Sequence, residues 1–377
     1  MIEIGVVGKP SVGKSTFFSA ATMIDVAIDP RPFTTIEPNT GIGFVRVEDI
    51  GFELGVTSQP RNGFILGKYR FVGVKMIDVA GLVPGAHQGR GLGNRFLNDL
   101  NQAEGLIHII DMSGSTDEEG RFIGVGARDP EDDIKFLEYE LDMWYRDILE
   151  RNRDRIQREI RAGKEPWEAL YNVFSSLRLN RQDAEIAMKN YDLNSEELPR
   201  FLRERSKKIV IAGNKMDVGK AMENYDRLKK NYDIIPVSAE AELALKRASK
   251  HGIIRYIYGE KDFEIIGELS DQQRIALEKI RKVLPTGVQQ VIEHLVFDVL
   301  NYIAVFPAGS KLVDKQGRVL PDCFLLKRGS NLEDFASAIH TDLAKHLLYG
   351  IDVRTKRRLG KEYILQHRDG IEIVAAK

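Results

Sequence analysis

Gly8, Gly13, Lys14 and Ser15 have the spacing of a phosphate-binding loop, GxxxxGK[ST], directly after an apolar strand. The glycines let the backbone curl so that its N–H groups point inward as donors to phosphate oxygens, and the helix that begins near Lys14 adds the positive end of its dipole. Lys14 is expected to reach the β- and γ-phosphates, and the Ser15 hydroxyl to ligate Mg²⁺. The predicted phosphate-binding residues are Gly8, Pro10, Ser11, Val12, Gly13, Lys14, Ser15 and Thr16.

Asp78 ends the apolar strand FVGVKMIDV and opens the sequence DVAGL. A carboxylate at this position holds Mg²⁺, usually through water, and the Gly81 N–H can sense the γ-phosphate. Thr35, in the proline-rich segment 29–41, is expected to complete the metal ligands, with Thr34 as the alternative. The predicted metal ligands are therefore Ser15, Thr35 and Asp78, and Lys14, Thr35 and Gly81 are predicted to act in catalysis.

Leu82 stands where many GTPases carry a glutamine that orients the attacking water. An alkyl side chain neither donates nor accepts a hydrogen bond, so another group must position the water, and slow intrinsic hydrolysis is expected. His87 or Gln88, in the glycine-rich segment that follows, could replace the glutamine. A mobile loop with two solvated polar residues explains them at least as well.

Asn214, Lys215 and Asp217 belong to the sequence NKMD, which follows the apolar run KIVIAG. The Asp217 carboxylate can accept hydrogen bonds from guanine N1–H and N2–H₂, whereas adenine has no donor at either position, so this pairing selects guanine. Lys215 is expected to pack over the base, and Asn214 to tie this turn to the phosphate loop. The later sequence SAE is expected to place the Ala239 N–H against guanine O6, so the predicted base-binding residues are Asn214, Lys215, Asp217, Ser238, Ala239 and Glu240.

The motifs need a mostly parallel sheet with helices on both faces to hold them, which predicts an α/β fold. Apolar runs predict strands at 71–79, 105–111 and 208–213, and a first helix is predicted from Thr16 to Ala27. Asp78 and Asn214 are much further apart than the roughly 60 residues that one strand and two crossover helices need. A helical insertion is therefore predicted at 119–204. Its expected helices include a seam of Ile134, Leu137, Leu141, Trp144 and Ile148, and the segments 166–178, 181–190 and 195–206.

Past the SAE sequence, residues 241–284 contain two helical stretches around a short apolar run, and a closing helix is predicted with Thr286 and Gln289 as its capping box. From about Tyr302 the pattern changes to strands and one helix, which suggests a β-grasp unit. It comprises a strand in LPDCFLLKRG, a helix capped by Ser330 and Glu333, and two strands joined by a turn at Asp369 and Gly370. The predicted domains are 1–118, 119–204, 205–300 and 301–377.

Composition limits the partners of the chain. Its 377 residues suffice for two or three domains. With 55 Lys and Arg against 56 Asp and Glu, the molecule has no net electrostatic field that would attract nucleic acid as a whole, so any such binding must be local. Two basic runs are candidates: a solvated helix face is favoured for 151–164, while RNA contact and a solvated loop are weighed evenly for 354–361. Three features predict a cytoplasmic protein: a single cysteine, no apolar run near ~20 residues, and a first strand that leaves no room for a signal peptide. We also expect a monomer.

The order GKPSVGKS, TT, DVAG, NKMD and SAE resembles a G domain. In detail, GKPSVGKST, PFTTIEPNTG and DVAGLVPGAHQGRGLGNRFL resemble the Obg superfamily of translation-associated GTPases, and its YchF or Obg-like ATPase branch in archaeal form. The tail resembles a TGS domain. The resemblance implies a hydrophobic residue in place of the glutamine, as at Leu82, and a helical insertion between the third and fourth motifs, as at 119–204.

Two features, one motif and one residue, depart from the family pattern. The NKMD motif is intact here, whereas Obg-like ATPases have a degraded motif and some prefer ATP, so GTP with Mg²⁺ is the favoured ligand. Ser11 replaces an asparagine linked to the monovalent ion in potassium-stimulated relatives, which leaves a K⁺ requirement open. The predicted function is a slow GTP-hydrolysing switch that contacts the ribosome or tRNA through its insertion and TGS-like unit. The alternatives are an ATP-preferring or promiscuous hydrolase and a nucleotide-dependent RNA or protein scaffold with little turnover; a metabolic P-loop kinase is disfavoured by NKMD and SAE.

Overall fold

The structure is a computed structural model that describes residues 1–23, 39–79 and 99–376. A seven-stranded sheet forms its centre. The strands are β1 (Glu3–Val7), β2 (Thr40–Glu48), β3 (Phe64–Leu66), β4 (Tyr69–Asp78), β5 (Gly105–Asp111), β6 (Lys208–Asn214) and β7 (Ile234–Pro236). Their order is β2-β4-β1-β5-β6-β7, with β3 paired to β4.

The sheet is parallel except at one side. β1 pairs in parallel with β4 and β5, and β6 and β7 continue the parallel pairing, whereas β2 and β3 run antiparallel to β4. All of β5 is buried, as expected for a parallel strand covered on both faces. The predicted α/β class and the three predicted strands are confirmed. The carboxyl ends of five parallel strands meet at one edge, where α/β proteins bind their ligands.

The first helices connect these strands. They are α1 (Lys14–Thr22) and the single turn α2 (Ile50–Glu53). The predicted extension of the first helix to Ala27 is too long, because Met23 already has an extended backbone, with φ −69° and ψ 132°. Residues 24–27 lie outside the described part of the chain.

Four helices separate β5 from β6: α3 (Pro130–Arg161), α4 (Pro166–Phe174), α5 (Arg181–Asn190) and α6 (Leu198–Ser206), with a 3₁₀ turn at Ser175–Leu177. These spans confirm the predicted helices. Asp129 caps α3 by accepting from the Glu131 N–H, and Pro130 occupies its first turn. In the basic run 151–164, Arg155 pairs with Glu159 at 3.1 Å, as expected of a solvated helix face. The boundaries 119 and 204 remain a prediction.

The chain then forms α7 (Ala221–Leu228), α8 (Ala239–Lys250), a hairpin of β8 (Ile254–Arg255) and β9 (Glu264–Ile265), and α9 (Asp271–Arg281). Last comes α10 (Val288–Glu293), continued by π-type turns over His294–Val299. The predicted capping box of this closing helix is wrong. Gly287, with φ 82°, is the N-cap, while the Thr286 hydroxyl donates to Glu242 at 2.6 Å and the Gln289 amide to the Phe44 carbonyl at 2.9 Å. A capping box is present at Ser270 and Gln273 of α9 instead.

The C-terminal unit has a five-stranded sheet and two short helices. In the order β11-β10-β14-β12-β13, the strands are β10 (Tyr302–Pro307), β11 (Phe324–Lys327), β12 (Leu347–Asp352), β13 (Arg358–Leu359) and β14 (Asp369–Ala375). The helices are α11 (Leu332–Ile339) and α12 (Thr341–Lys345).

Three predictions about this unit need correction. The capping box is formed by Asn331 and Asp334 rather than by Ser330 and Glu333. The single predicted helix is divided at His340, whose extended backbone has φ −165°. Asp369 and Gly370 lie within β14 and not in a turn, because the positive φ of 69° falls at Arg368, directly before them.

Arg70 joins the C-terminal unit to the central sheet. Its side chain is buried, lies 2.8 Å from the Asp49 carboxylate and donates to the Leu320 carbonyl at 2.5 Å. Asp49 also accepts from the Gly51 N–H at 2.7 Å and the Ser58 hydroxyl at 2.5 Å. The buried ion pair lies within the unit of the central sheet, and the hydrogen bond from Arg70 to Leu320 connects it to the C-terminal unit. Across the described ranges, no helix combines the length and the apolar character that crossing a membrane requires.

Candidate nucleotide-binding site

The predicted phosphate loop connects β1 to α1 at the carboxyl edge of the sheet. Ser11 and Gly13 have positive φ angles of 63° and 92°, and left-handed residues of this kind occur in the backbone nests that bind anions. Packing also requires a glycine at position 13, because a Cβ there would lie 2.3 Å from Nδ2 of Asn214. α1 begins at Lys14, so its N-terminus faces the same loop.

Lys14 and Asp78 are in direct contact through Nζ and Oδ1. Asp78 is the last residue of β4, and β4 pairs with β1 so that Asp78 lies opposite Val6. The motif lysine and the motif carboxylate therefore meet at one point beside the phosphate loop, next to the exposed Ser15.

The donor set at this point suits Mg²⁺. Mg²⁺ is commonly held by one or two carboxylates together with waters and substrate phosphates rather than by a cage of protein ligands. Asp78 and the Ser15 hydroxyl provide such a partial set, and the described ranges contain no group of three or more His, Cys, Asp or Glu residues arranged for a metal. Thr35 and Thr34 lie outside the described residues, as do Gly81, Leu82, His87 and Gln88.

Asn214 connects the predicted base-reading turn to the phosphate loop. Its side chain is buried at the end of β6, and Nδ2 donates to the Val12 carbonyl at 2.9 Å. Its Oδ1 accepts from the Ala239 N–H at 3.1 Å. One amide thus joins three of the predicted motifs.

Asp217 and Ser238 lie on neighbouring turns, since the Met216 N–H donates to the Val237 carbonyl at 3.2 Å. Asp217 is exposed, and within the described ranges no side chain pairs with its carboxylate. The Ser238 hydroxyl is buried and has no hydrogen-bond partner among the described residues. Ala239 begins α8, and Glu240 is exposed in its first turn. Contact of these residues with a nucleotide remains a prediction.

Asp111 was not predicted as a site residue. It is the last residue of β5, and its carboxylate accepts from Lys215 Nζ at 2.8 Å. Burial raises its pKa, but hydrogen bonds from Lys215, Ser113 and Ser115 outweigh this, and the net pKa lies below the ordinary value. The signal in the sequence is an aspartate at the end of a buried strand, followed by serine at the second and fourth positions.

Three family models match the chain. The model described as 50S ribosome-binding GTPase matches residues 3–137, and the one described as Obg-like GTPase YGR210-like, G4 motif-containing domain matches residues 212–309. The TGS domain model matches residues 303–375. The matches cover the phosphate loop, the NKMD turn and the C-terminal unit in turn.

Individual relatives match along the whole chain. A GTP-binding protein of Methanocaldococcus jannaschii is 45% identical over 395 residues, covering 100% of both chains. The crystal structure of a GTP binding protein from Pyrococcus horikoshii has a TM-score of 0.79 at 35% identity and also covers 100% of both chains. Ribosome-binding ATPase YchF of Mycoplasma genitalium is 28% identical over 350 residues, covering 92% of this chain and 86% of the relative. Relatedness over the full length, and not in the G domain alone, makes this chain a member of the Obg superfamily of P-loop GTP-binding proteins, in the YchF and Obg-like ATPase branch with a C-terminal TGS domain.

Proposed function

We propose that this protein binds GTP with Mg²⁺ and hydrolyses it to GDP and phosphate as a slow molecular switch. The observation that carries the proposal is the double hydrogen bond of Asn214, which links the phosphate loop at Val12 to the predicted guanine turn at Ala239. Two motifs that lie about 200 residues apart in the sequence are thereby held at one sheet edge. A site that reads a purine base and a triphosphate together requires this arrangement.

In the proposed complex, the phosphate loop and Lys14 hold the β- and γ-phosphates, and Ser15, Asp78 and Thr35 hold Mg²⁺. The metal neutralises charge that develops on the phosphate oxygens during the transfer. Lys14 contacts Asp78 in the structure. With nucleotide and Mg²⁺ bound, the same ammonium would donate to phosphate oxygens and the Asp78 carboxylate would help to hold the metal. The rate of hydrolysis depends mainly on positioning and electrostatic stabilisation.

Asp217 is proposed to read guanine, which favours GTP over ATP. Its exposed carboxylate offers two acceptor oxygens to the base edge. The Ala239 N–H donates to Asn214 Oδ1 in the structure and would have to share or exchange this partner to donate to guanine O6. Leu82 cannot orient water, so intrinsic turnover is expected to be slow, and His87 is the proposed substitute. Hydrolysis then depends on a stimulating partner.

The ribosome is the proposed partner. Support comes from the family model described as 50S ribosome-binding GTPase and from the name of the Mycoplasma relative. On the surface, the run 354–361 within the TGS unit is the better candidate for RNA contact, because Lys356, Arg357 and Lys361 are exposed there. The basic residues of α3 are in part neutralised by glutamates one turn away.

The test is an equilibrium titration with fluorescent GTP and ATP analogues in the presence of Mg²⁺, followed by phosphate release with and without ribosomes. GTP should bind more than tenfold more tightly than ATP, which is about 1.4 kcal/mol or more. Lys14→Ala should abolish binding, and Asp217→Asn should reduce the preference for GTP. Glu223→Gln, which neutralises an exposed carboxylate in the first turn of α7 outside the predicted site, is the matched control. Equal affinities for ATP and GTP in the wild type would favour a promiscuous hydrolase, and tighter binding of ATP would favour an ATPase, the activity in the name of the Mycoplasma relative.

A further inference from the structure

The Asp111 carboxylate is a buried centre of hydrogen bonds beside the predicted guanine turn. Oδ1 accepts from the N–H and the hydroxyl of Ser113, at 3.0 and 2.5 Å. Oδ2 accepts from the Ser115 hydroxyl at 2.7 Å and from Lys215 Nζ at 2.8 Å. Only 1% of the Asp111 side chain is exposed, against 25% of Lys215. Asp111 is therefore fixed from its own loop and holds the more exposed lysine.

Lys215 has a backbone conformation that costs energy. Its φ is 64°, in the left-handed region that residues other than glycine rarely adopt. A free lysine side chain has many rotamers, and ordering it opposes binding. The ion pair with Asp111 confines the ammonium to one position, and the Ser115 hydroxyl, 3.5 Å away, lies on the same side.

The loop that carries these groups also rests on the phosphate loop. The Thr116 carbonyl accepts a hydrogen bond from Lys9 Nζ at 2.8 Å. Lys9 also pairs with Asp133 at 3.0 Å, and the side chains of Lys9 and Asp133 are both buried. Gly120 lies so close to Pro10 that a Cβ at Gly120 would be 2.6 Å from the proline ring. Segment 111–120 therefore spans the distance from the phosphate loop to Lys215.

We propose that Asp111 is a positioning residue for base recognition: it fixes Lys215 in advance, so that the lysine stem is in place to pack over the base. The inference rests on the proposed function, because Lys215 must contact a nucleobase for the positioning to matter. Ordering one long side chain on binding costs enough to weaken affinity about two- to tenfold. Asp111→Asn keeps the size of the side chain and removes the charge that holds Lys215.

The test is a double-mutant cycle of Asp111→Asn and Lys215→Met, with affinities measured for GDP and for inorganic pyrophosphate. Pyrophosphate uses the phosphate loop alone, so it separates loss of base positioning from collapse of the site. Asp111→Asn should weaken GDP about five- to tenfold and leave pyrophosphate unchanged or tighter, since a negative charge has been removed. In the Lys215→Met background the same change should have no further effect on GDP.

Ser113→Ala is the matched control, because Ser113 donates to the same carboxylate without touching Lys215, and GDP affinity should stay within about twofold. Equal losses for GDP and pyrophosphate, or additive losses in the cycle, would overturn the inference while leaving GTP binding intact. A wild type that binds pyrophosphate but gains nothing from the guanine base would overturn the proposed function together with it. If Asp111→Asn does not fold, Asp111→Glu takes its place in the cycle. It keeps the charge but moves the carboxylate by one methylene, so GDP should bind more weakly only when Lys215 is present, and pyrophosphate affinity should not change.

Discussion

Replacing Arg70 by methionine is expected to destabilise the protein by about 3–4 kcal/mol. The change leaves the Asp49 carboxylate buried without its counter-ion, and removing one partner of a buried pair costs roughly 3–5 kcal/mol. Asp49 keeps two donors, the Gly51 N–H and the Ser58 hydroxyl, which places the loss towards the lower end. The Leu320 carbonyl also loses its donor, which adds about 1 kcal/mol.

Urea unfolding measures this loss, and the single cysteine reports where it acts. Cys323 packs among the apolar side chains of the same interface, and burial raises the pKa of its thiol to about 12. Little thiolate is present at neutral pH, so Arg70→Met should accelerate the reaction with a disulfide reagent by opening the interface. Arg61→Met is the matched control: it breaks the half-exposed pair with Asp322, which is worth at most about 1 kcal/mol. Equal effects of the two substitutions on stability would refute the argument.

Two further predictions follow from single positions. Gly13→Ala should abolish nucleotide binding in calorimetry, because its Cβ would lie 2.3 Å from Asn214, whereas Gly55→Ala, with a φ of 67° and open space around it, should cost stability but no affinity. Burial lowers the pKa of Lys207 to about 7, so between that pH and the unfolded value of about 10.5 the unfolded chain binds more protons and stability rises with pH. In this range the unfolding free energy of the wild type should rise by up to about 1.4 kcal/mol per pH unit relative to that of Lys207→Met, measured by urea unfolding at pH 7.5 and 9.5. The same pH dependence of stability in both proteins would contradict a lowered pKa of Lys207.

Sequence patterns predicted the frame of the site because each motif is joined to an apolar strand. Val7, Asp78 and Asn214 each end a strand of the parallel sheet, and parallel strands bring their carboxyl ends to one edge. The contact of Asn214 with the phosphate loop was predicted for the same reason and is present at Val12. The apolar strands and the motifs that follow them were therefore sufficient to predict this part of the fold.

Helix ends were predicted less well, because capping depends on backbone angles and on distant partners. Thr286 and Gln289 have capping-box spacing, but Glu242 and the Phe44 carbonyl take their side chains, and Gly287 provides the cap. At α11 the box is shifted by one residue to Asn331 and Asp334, where both hydrogen bonds can form. Spacing alone does not distinguish such neighbouring registers.

Buried lysines are the feature that patterns could not reveal, since lysine is predicted to be solvated almost everywhere. Lys246 donates to the carbonyls of Ala20 and Met23 at 2.7 and 3.2 Å, and Lys207 donates to those of Leu100 and Ala103 at 2.6 and 2.8 Å. Carbonyls at a helix C-terminus carry partial negative charge, which offsets part of the cost of burying an ammonium. Because these partners lie more than 100 residues away in the chain, no local window contains both halves of the interaction. The strand ends of the nucleotide site could therefore be predicted from the sequence, whereas Lys246, which binds the carbonyls at the end of α1, had to be found in the folded chain.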